Sequence, residues 1–257
     1  MAKVISFFSE KGGVGKTVHS VLFADYLAYH CGEKVVVIDM ESPKPRIQLM
    51  REHDDKLLAD EKSVLSQYVS KLPQQYEPYE IINLGNDMED YTIETTRMLA
   101  NRVIDVLRKT DEGTYVVLDF PGLFIEHCPA FYILAKGIAD LVMVPTDVDM
   151  QSRRSAARVA SCLCENGANC MVFWNNVPKA DIDRKGYLEV GEEVYTSRGI
   201  PVHPTRIKSF VKAKKEAEDR LFVRNTVCWP QRYVELACPE LPLFYADLKK
   251  RLDNTGE

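Results

Sequence analysis

The chain alternates short apolar runs with segments of helical periodicity. The runs are continuous, which is typical of strands that are buried on both faces of a parallel sheet. Between them, apolar residues recur at spacings of three and four, as in amphipathic helices. The pattern therefore predicts an α/β fold with helices on both faces of a mostly parallel, twisted central sheet. The predicted strands are 4–8, 34–39, 80–84, 115–119, 140–146, 170–177 and 200–205.

The same periodicity predicts where the helices lie. The first follows residue 16 and carries Val21, Ala24, Ala28 and Cys31 at helical spacing. No linker, internal repeat or low-complexity segment divides the sequence, so we predict a single domain over residues 1–257. The other predicted helices are about 48–70, 91–109, 150–165 and 241–252.

The composition indicates the class of protein and the cellular compartment. Of the 257 residues, 46% are hydrophobic and 28% are charged, as in ordinary globular proteins, and no apolar run is long enough to predict a transmembrane helix. A strand begins within three residues of the start, so we expect no signal peptide. Seven cysteines without a regular framework favour reduced thiols in the cytoplasm. Cys162 and Cys164 fit packing positions in a helix better than a metal site.

The segment Glu10–Thr17 joins the first strand to the first helix and reads Glu-Lys-Gly-Gly-Val-Gly-Lys-Thr. Its glycines allow several N–H groups to point at one anion, at the positive end of the following helix. In such a loop Lys16 neutralises the β- and γ-phosphates of a nucleotide, and the Thr17 hydroxyl ligates Mg²⁺. A glycine turn with a solvated lysine is the plainer alternative. Gly-Lys-Thr between a strand and a helix favours a nucleotide triphosphate site.

One position departs from the ordinary P-loop, because Glu10 stands where a glycine is expected and Lys11 follows it. The run Lys11–Thr17 resembles the deviant P-loop of the ParA/MinD (Soj-like) family of partition and positioning ATPases. The resemblance implies a SIMIBI-type P-loop NTPase, a three-layer α-β-α fold, that binds ATP with Mg²⁺. It also implies that Lys11 reaches the ATP of a second protomer in an ATP-sandwich homodimer; a surface lysine at a turn is the alternative. The expected nucleotide contacts are Lys11, Gly12, Gly13, Val14, Gly15, Lys16, Thr17 and Val18.

Two strand ends supply carboxylates. Asp119 closes the run 115–119, the Walker B pattern, where a carboxylate can hold a water of the Mg²⁺ shell. Asp39 closes an earlier run and Glu41 follows it. In the family that the chain resembles, Asp39 matches a carboxylate near the metal, and Glu41 takes the place of the aspartate that positions the attacking water. The expected metal ligands are Thr17, Asp39 and Asp119, and the expected catalytic residues are Lys11, Lys16, Asp39 and Glu41.

The longer side chain of Glu41 predicts slow hydrolysis, because displacing the attacking water by about an ångström can cost on the order of a hundredfold in rate. Two further positions concern the nucleotide-sensing segments. Pro121-Gly122 resembles the family segment that senses the γ-phosphate. Lys44 replaces the glutamine that the family has after its proline, which is Pro43 here.

Asn175 lies near the end of the run 170–177. In the family that the chain resembles, an asparagine at this strand end recognises the adenine edge, and Asn175 matches it best. An asparagine side chain offers both the donor and the acceptor that a purine edge requires. A cap on the turn before Pro178 is the structural alternative.

The last third of the chain is locally basic. Residues 206–224 hold seven basic and three acidic residues, a net charge of about +4, whereas the whole chain carries −5. The spacing of Lys208, Lys212 and Lys215 predicts one face of a helix. The resemblance implies that basic residues here hold DNA without regard to sequence in the ATP-bound dimer, through counterion release from two joined patches. A solvated helix face is the alternative. The expected DNA-binding residues are Arg206, Lys208, Lys212 and Lys215.

Three hypotheses of function follow. The first is a ParA-like ATPase of plasmid, chromosome or mobile-element partitioning, which associates with the nucleoid and is stimulated by a partner protein. The second is a nucleotide-binding scaffold with negligible hydrolysis, which Glu41 and Lys44 suggest. The third, a metabolic P-loop enzyme, would need a substrate pocket that the sequence does not identify.

A MinD-like positioning ATPase is a further alternative, because such relatives end in an amphipathic helix that binds membranes. In residues 241–252 and just beyond, Asp247 and Asp253 interrupt the polar face. The spacing of Phe244, Leu248 and Leu252 suits a helix that packs on the body of the protein. We therefore expect no membrane partner.

Overall fold

Seven strands form one sheet in this computed structural model, which describes residues 1–41, 45–71, 77–84, 92–124, 128–184, 186–209 and 238–255. Neighbouring strands pair in parallel throughout. The strands are β1 (Lys3–Phe7), β2 (Val35–Asp39), β3 (Glu80–Asn83), β4 (Tyr115–Asp119), β5 (Leu141–Thr146), β6 (Cys170–Val177) and β7 (Val202–Lys208). Their order is β3-β2-β4-β1-β5-β6-β7, so β1 lies in the middle of the sheet. Strands β2, β3 and β4 lie on one side of β1, and β5, β6 and β7 lie on the other.

Helices provide the crossovers that parallel strands require. Three of them begin at side-chain caps. Thr92 accepts from the N–H of Thr95, Asp149 accepts from the N–H groups of Gln151 and Ser152, and Cys128 Sγ accepts from the N–H of Phe131. The helices of the described residues are α1 (Lys16–Asp25), α2 (Arg46–Leu58), α3 (Val64–Val69), α4 (Ile93–Lys109), α5 (Pro129–Leu134), α6 (Met150–Glu165), α7 (Lys179–Asp183), α8 (Tyr187–Thr196) and α9 (Glu240–Asp253). A π-helical turn, Tyr26–His30, extends α1.

Alternate residues of the buried strands point to opposite faces of the sheet. Val4 faces a core that α4, α5, α6 and α8 cover, and its neighbour Ile5 faces a second core under α1, α2 and α9. Both cores are built largely of fully buried apolar side chains. The predicted three-layer α-β-α fold of the P-loop NTPase type is confirmed.

Three predicted boundaries differ from the structure. The helix expected at 48–70 is two helices, because the chain turns after Leu58 and the N–H of Lys62 bonds Asp60 Oδ1 at 3.0 Å. The last strand runs from Val202 to Lys208 rather than 200–205. The prediction that Lys208 lies on a helix is therefore wrong, because this residue pairs with Val177 in the sheet.

The terminal helix packs on the sheet as its spacing predicts. Phe244, Leu248 and Leu252 are at most 1% exposed. The Tyr245 hydroxyl lies 2.9 Å from His19 Nδ1, so the end of the chain contacts the helix that follows the glycine-rich loop. Within the described ranges, every helix is too short or too polar to cross a membrane.

A polar cluster joins the first strand to α9 at the amino edge of the sheet. Lys3 Nζ lies 2.6 Å from Asp253 Oδ1 and Lys249 Nζ lies 2.9 Å from Oδ2, while the Tyr115 hydroxyl also donates to Asp253. Partial burial alone would raise the pKa of Asp253. The hydrogen bonds from Lys3, Tyr115 and Lys249 outweigh burial and lower this pKa to about 2.

We expect this carboxylate to make stability depend on pH. The pKa of Asp253 is about 2 in the folded chain and about 3.9 in an unfolded one. The ionised group therefore contributes stability that is present above about pH 4 and lost as the pH falls toward 2. Asp253→Asn should lower the urea midpoint of unfolding at pH 7. The difference between the midpoints of the parent and the variant should become smaller below about pH 4.

Urea unfolding at a series of pH values measures this gap. Asp111→Asn is the matched control, because Asp111 forms an exposed ion pair with Lys34 and such pairs contribute little. A gap between parent and Asp253→Asn that stays constant from neutral pH to about pH 3 would contradict the prediction.

Candidate functional site

The glycine-rich loop lies at the carboxyl end of β1, in the middle of the sheet. Gly13 has a φ of 79° and Gly15, which precedes α1, has a φ of 99°. These left-handed conformations favour glycine, which explains its presence at both positions. A Cβ added at Gly12 or Gly13 would meet no atom within 4 Å. The outer side of the loop is thus open to an anion.

Lys16 lies within the curl of the loop, where its Nζ donates to Lys11 O at 3.3 Å. Burial lowers the pKa of Lys16, and the negative charges of Asp119 and Glu41 oppose that shift. An ammonium carries three donors, and this carbonyl is its one hydrogen-bond acceptor among the described residues. The Lys16 ammonium is therefore placed to bind an anion that enters the loop.

Two hydroxyls of α1 bind the carboxylate that ends β4. Thr17 Oγ1 donates to Asp119 Oδ2 and Ser20 Oγ donates to Asp119 Oδ1, both at 2.9 Å. Asp119 is 1% exposed. Burial, together with the nearby charge of Asp39, raises its pKa to about 7. The loop, the first helix and the Walker B strand meet at this carboxylate.

Asp39 lies beside Asp119 because the two are register partners in the β2–β4 pair. Its oxygens accept three main-chain N–H groups: Glu41 at 3.0 Å, Ile47 at 2.9 Å and Gln48 at 3.4 Å. Burial raises the pKa of Asp39, although these hydrogen bonds oppose the shift. Asp39 therefore fixes the start of α2 at the edge of the site.

The side chain of Glu41 is directed to α2. Its Oε2 lies 3.3 Å from Arg46 Nε, and burial raises the pKa of Glu41 against the charge of Arg46. The carboxylate is thus near the loop but held by an arginine. Pro43 and Lys44, which the sequence linked to nucleotide sensing, lie outside the described residues.

Helix α6 supports the outer shoulder of the loop. Lys11 Nζ donates to Gln151 Oε1 at 3.2 Å. Arg158 forms an ion pair with Glu10 and donates to Phe124 O at 3.4 Å. Sequence reasoning identified Glu10 only as a departure from the P-loop and did not identify Arg158, because no motif signals a partner so distant along the chain.

Gly122 brings the segment after β4 against the loop. A Cβ at this position would lie 3.1 Å from both Lys16 Nζ and Glu10 O, so a side chain here would require the loop to move. The segment that resembles a phosphate sensor therefore lies against Lys16, the predicted phosphate ligand.

A family model described as an AAA domain matches residues 2–164, more than half of the chain. The chain belongs to this family. The resemblance to the ParA/MinD proteins is thereby confirmed, because solved members of that group share the fold of this AAA-domain protein. No curated protein sequence matches the chain.

Three solved structures illustrate that likeness. A MinC:MinD cell division protein complex from Aquifex aeolicus has 22% identity over 83% of this chain and 84% of the other, with a TM-score of 0.57. A putative plasmid partition protein from Borrelia burgdorferi bound to AMPPNP has 16% identity over 97% and 100%, with a TM-score of 0.58. MinD from Pyrococcus horikoshii complexed with Mg-ADP has 15% identity over 92% and 95%, with a TM-score of 0.54. At these identities the likeness shows the fold.

The donors of this AAA-domain protein fit a magnesium nucleotide. Oxygen ligands are the ones that Mg²⁺ prefers, and the Thr17 hydroxyl lies between the loop and the buried Asp119 carboxylate. Two buried carboxylates side by side raise each other's pKa, as they do for Asp119, and a dication would relieve that repulsion.

Val14 is 2% exposed and Val18 is 40% exposed, so only the second presents a side chain at the surface.

Asn175 lies beneath the loop, where its side chain contacts the main chain of Val14. Its Nδ2 donates to Val14 O at 2.7 Å, and the residue is 5% exposed. A Cβ at Gly15 would lie 2.6 Å from Nδ2, so the amide and the loop are in close contact. The contact of Asn175 with an adenine edge stays a prediction. Asn176, exposed and with a φ of 56°, is the amide that faces outward at the end of β6.

The part of the expected basic surface that the structure describes is paired with carboxylates. Arg206 lies 2.8 Å from Glu189 and 3.3 Å from Glu192, and Lys208 forms an ion pair with Glu240. Carboxylates therefore neutralise both cations. Arg206 and Lys208 lie on β7 rather than on a helix. Lys212 and Lys215 lie outside the described residues.

We expect Asn175→Ala to weaken binding of ATP and GTP equally. Loss of the amide leaves Val14 O without this donor, which should cost about 1–3 kcal/mol of loop stability whichever base is present. Titration of the protein with fluorescent ATP and GTP analogues measures the two affinities. Asn176→Gly is the matched control, since glycine adopts positive φ readily. A loss confined to ATP would show that Asn175 reads the base.

Proposed function

We propose that the chain is a ParA-like ATPase, a single domain over residues 1–257 that binds and slowly hydrolyses ATP with Mg²⁺. The observation that carries this proposal is the loop Lys11–Thr17 above two neighbouring strand-end carboxylates. Relatives with this fold include a plasmid partition protein bound to AMPPNP and a MinD complexed with Mg-ADP. The family and the donor set both support the proposal.

Each group at the site has a defined role in the proposed reaction. The loop N–H groups of residues 12–18 and the Lys16 ammonium bind the phosphates, and Lys16 counters charge that develops during phosphoryl transfer. Thr17, Asp39 and Asp119 would hold the metal. Bound Mg²⁺ supplies neutralisation of phosphate charge. The Thr17–Asp119 hydrogen bond supports this assignment because it already brings the two oxygens together.

Glu41 orients the attacking water in this proposal. Its ion pair with Arg46 competes with that role, and its raised pKa leaves it a stronger base than an exposed glutamate. The competition predicts slow turnover. It also favours the second candidate, a nucleotide-binding scaffold with negligible hydrolysis, in which Glu41 stays with Arg46 throughout.

We expect Glu41→Ala to lower steady-state phosphate release by about a hundredfold, because a positioned base contributes roughly 10²–10⁴ in rate. The assay contains MgATP at saturating protein, and Glu52→Ala, an exposed glutamate on α2, is the control. Glu41→Asp restores the residue that the resembling family has and should raise turnover above that of the parent. If Glu41→Ala releases phosphate as fast as the parent, Glu41 has no catalytic part and the scaffold is favoured.

Lys11 closes an ATP-sandwich homodimer in this proposal. Within one protomer its ammonium contacts only the amide oxygen of Gln151 among the described residues, at the exposed end of α6. That contact is weak and solvent-accessible, so Lys11 can leave it for the phosphates of a second protomer. The neighbouring side chain of Met150 is 56% exposed, as an interface residue would be in the free protomer.

We expect Lys11→Ala to abolish ATP-dependent dimerisation while leaving nucleotide binding by the monomer intact. The parent should elute as a dimer with a non-hydrolysable ATP analogue and as a monomer with ADP in size-exclusion chromatography. Lys34→Ala is the control, because Lys34 lies at the opposite edge of the sheet in an exposed pair. A Lys11→Ala protein that still dimerises with the analogue would refute the role of Lys11.

The dimer binds DNA without sequence preference, acts in partitioning within the nucleoid region of the cytoplasm, and is stimulated by a partner protein. Because Arg206 and Lys208 are paired with carboxylates, Lys212 and Lys215 carry most of this binding. Joining two weak patches on one duplex supplies the affinity. A MinD-like positioning ATPase is the alternative.

We expect Lys212→Gln and Lys215→Gln each to weaken DNA binding by the ATP-analogue dimer and to lower its salt slope by about 1. A filter-binding titration from about 50 mM salt upward measures both. Arg206→Gln is the matched control and should have the smaller effect. Absence of binding by the dimer at about 50 mM salt would remove DNA from the proposal.

A further inference from the structure

Two cysteines meet at the end of β6 that lies farthest from the glycine-rich loop. Cys164 is in the last turn of α6 and Cys170 is the first residue of β6. Their Sγ atoms are 3.0 Å apart. A disulfide bond measures about 2.05 Å, so the sulfurs need to approach by only about an ångström.

The turn between the two residues is fixed by the main chain. The N–H of Gly167 donates to Cys164 O at 2.9 Å, and the N–H of Ala168 donates to Leu163 O at 3.0 Å. On the strand side, Asn169 O accepts from the N–H of Val142 at 2.9 Å. Both sulfurs are therefore held in place by regular structure rather than brought together by a free loop.

The two thiols differ in access. Cys170 is 3% exposed, and burial raises the pKa of its thiol. Cys164 is half-buried and lines an open groove. Because the thiolate is the nucleophile, the accessible Cys164 reacts first with a molecule from solvent, and the buried Cys170 reacts second.

The groove beside Cys164 is positively charged. Arg154, Arg158 and Arg198 line it, with Glu165 as the acidic residue. Arg158 is paired with Glu10, but neither Arg154 nor Arg198 makes an ion pair with any residue that the structure describes. Two guanidinium groups are thus available to attract a carboxylate-bearing molecule to the thiol.

We propose that Cys164 and Cys170 are a redox-active dithiol, which an anionic low-molecular-weight disulfide entering the arginine-lined groove oxidises to an intrachain disulfide. Cytosolic disulfides are usually transient and redox-sensing, which agrees with a dithiol that is reduced at rest. The proposal does not rest on the proposed nucleotide binding, because the pair lies at the opposite end of β6 from Asn175 and the loop.

The exchange balances in two steps. The Cys164 thiolate attacks one sulfur of the disulfide RSSR, a mixed S–S bond forms, and RS⁻ leaves and takes up the proton that Cys164 lost. Cys170 then loses its proton and attacks Cys164 Sγ, the mixed bond breaks, and the second RS⁻ leaves and is protonated. Two protein thiols lose two electrons in total, and RSSR becomes two molecules of RSH.

The test treats the reduced full chain with glutathione disulfide and follows intact mass and differential alkylation. The expected product is a protein lighter by two hydrogens, with residues 164 and 170 protected from alkylation and joined in one peptide pair. Reduction by dithiothreitol should reverse it. A product that instead carries glutathione on Cys162, or a disulfide that joins other cysteines, would overturn the proposal.

Variants separate the two thiols. Cys170→Ser should stop at a stable glutathione adduct on Cys164, and Cys164→Ser should leave Cys170 unmodified. Cys162→Ser and Cys31→Ser are controls, because both residues are described and half-buried, and both variants should form the disulfide as the parent does. If Cys170→Ser fails to fold, the peptide map of the parent still decides the outcome.

Oxidation rates with a charged and an uncharged disulfide test the role of the groove. Arg154→Gln combined with Arg198→Gln should slow oxidation by glutathione disulfide severalfold, yet leave the rate with the uncharged bis(2-hydroxyethyl) disulfide unchanged. Equal rates for parent and variant with glutathione disulfide would overturn the part of the proposal that assigns the oxidant to the groove.

Discussion

Two negative charges side by side at one edge of the sheet determine most of the site. Asp39 and Asp119 are neighbours across β2 and β4, and both are almost completely buried. Like charges in a protein interior repel, and burial disfavours each of them. The groups around them compensate: hydroxyls of Thr17 and Ser20 for one carboxylate, and the first N–H groups of α2 for the other. The loop and two helices are thereby anchored to the same pair.

Further groups contact the loop and the helix that follows it. Asn175 supports Val14 from below, and Gly122 approaches Lys16 from the side. On the far side of α1, Tyr245 bonds His19, while Phe173 and Phe244 pack against the same imidazole ring. Every layer of the fold therefore touches either the loop or the helix that follows it.

The sequence was sufficient for the strands, the layers and the loop because these depend on local patterns. Continuous apolar runs marked buried parallel strands, and Gly-Lys-Thr between a strand and a helix marked the phosphate site. It failed where the outcome depends on which distant side chain arrives. The contact of the Asn175 amide with Val14 O, the pairing of Arg206 with Glu189 and the contact of Glu10 with Arg158 each join residues that are far apart or unrelated by pattern in the sequence. Helical spacing for Lys208 failed for another reason, because strand pairing with β6 extended β7 past the predicted end.

The supports of the loop on α6 are spaced four and three residues apart. Gln151 holds Lys11, Ser155 contacts Glu10 and Arg158 pairs with Glu10, so all three project from one face of a single rigid helix. A sliding or rotation of this helix would break the three contacts together rather than one at a time. Displacement of α6 would consequently change the phosphate loop in an all-or-none manner. A molecule that binds the outer surface of that helix could therefore alter the conformation of the loop at the nucleotide end of the sheet.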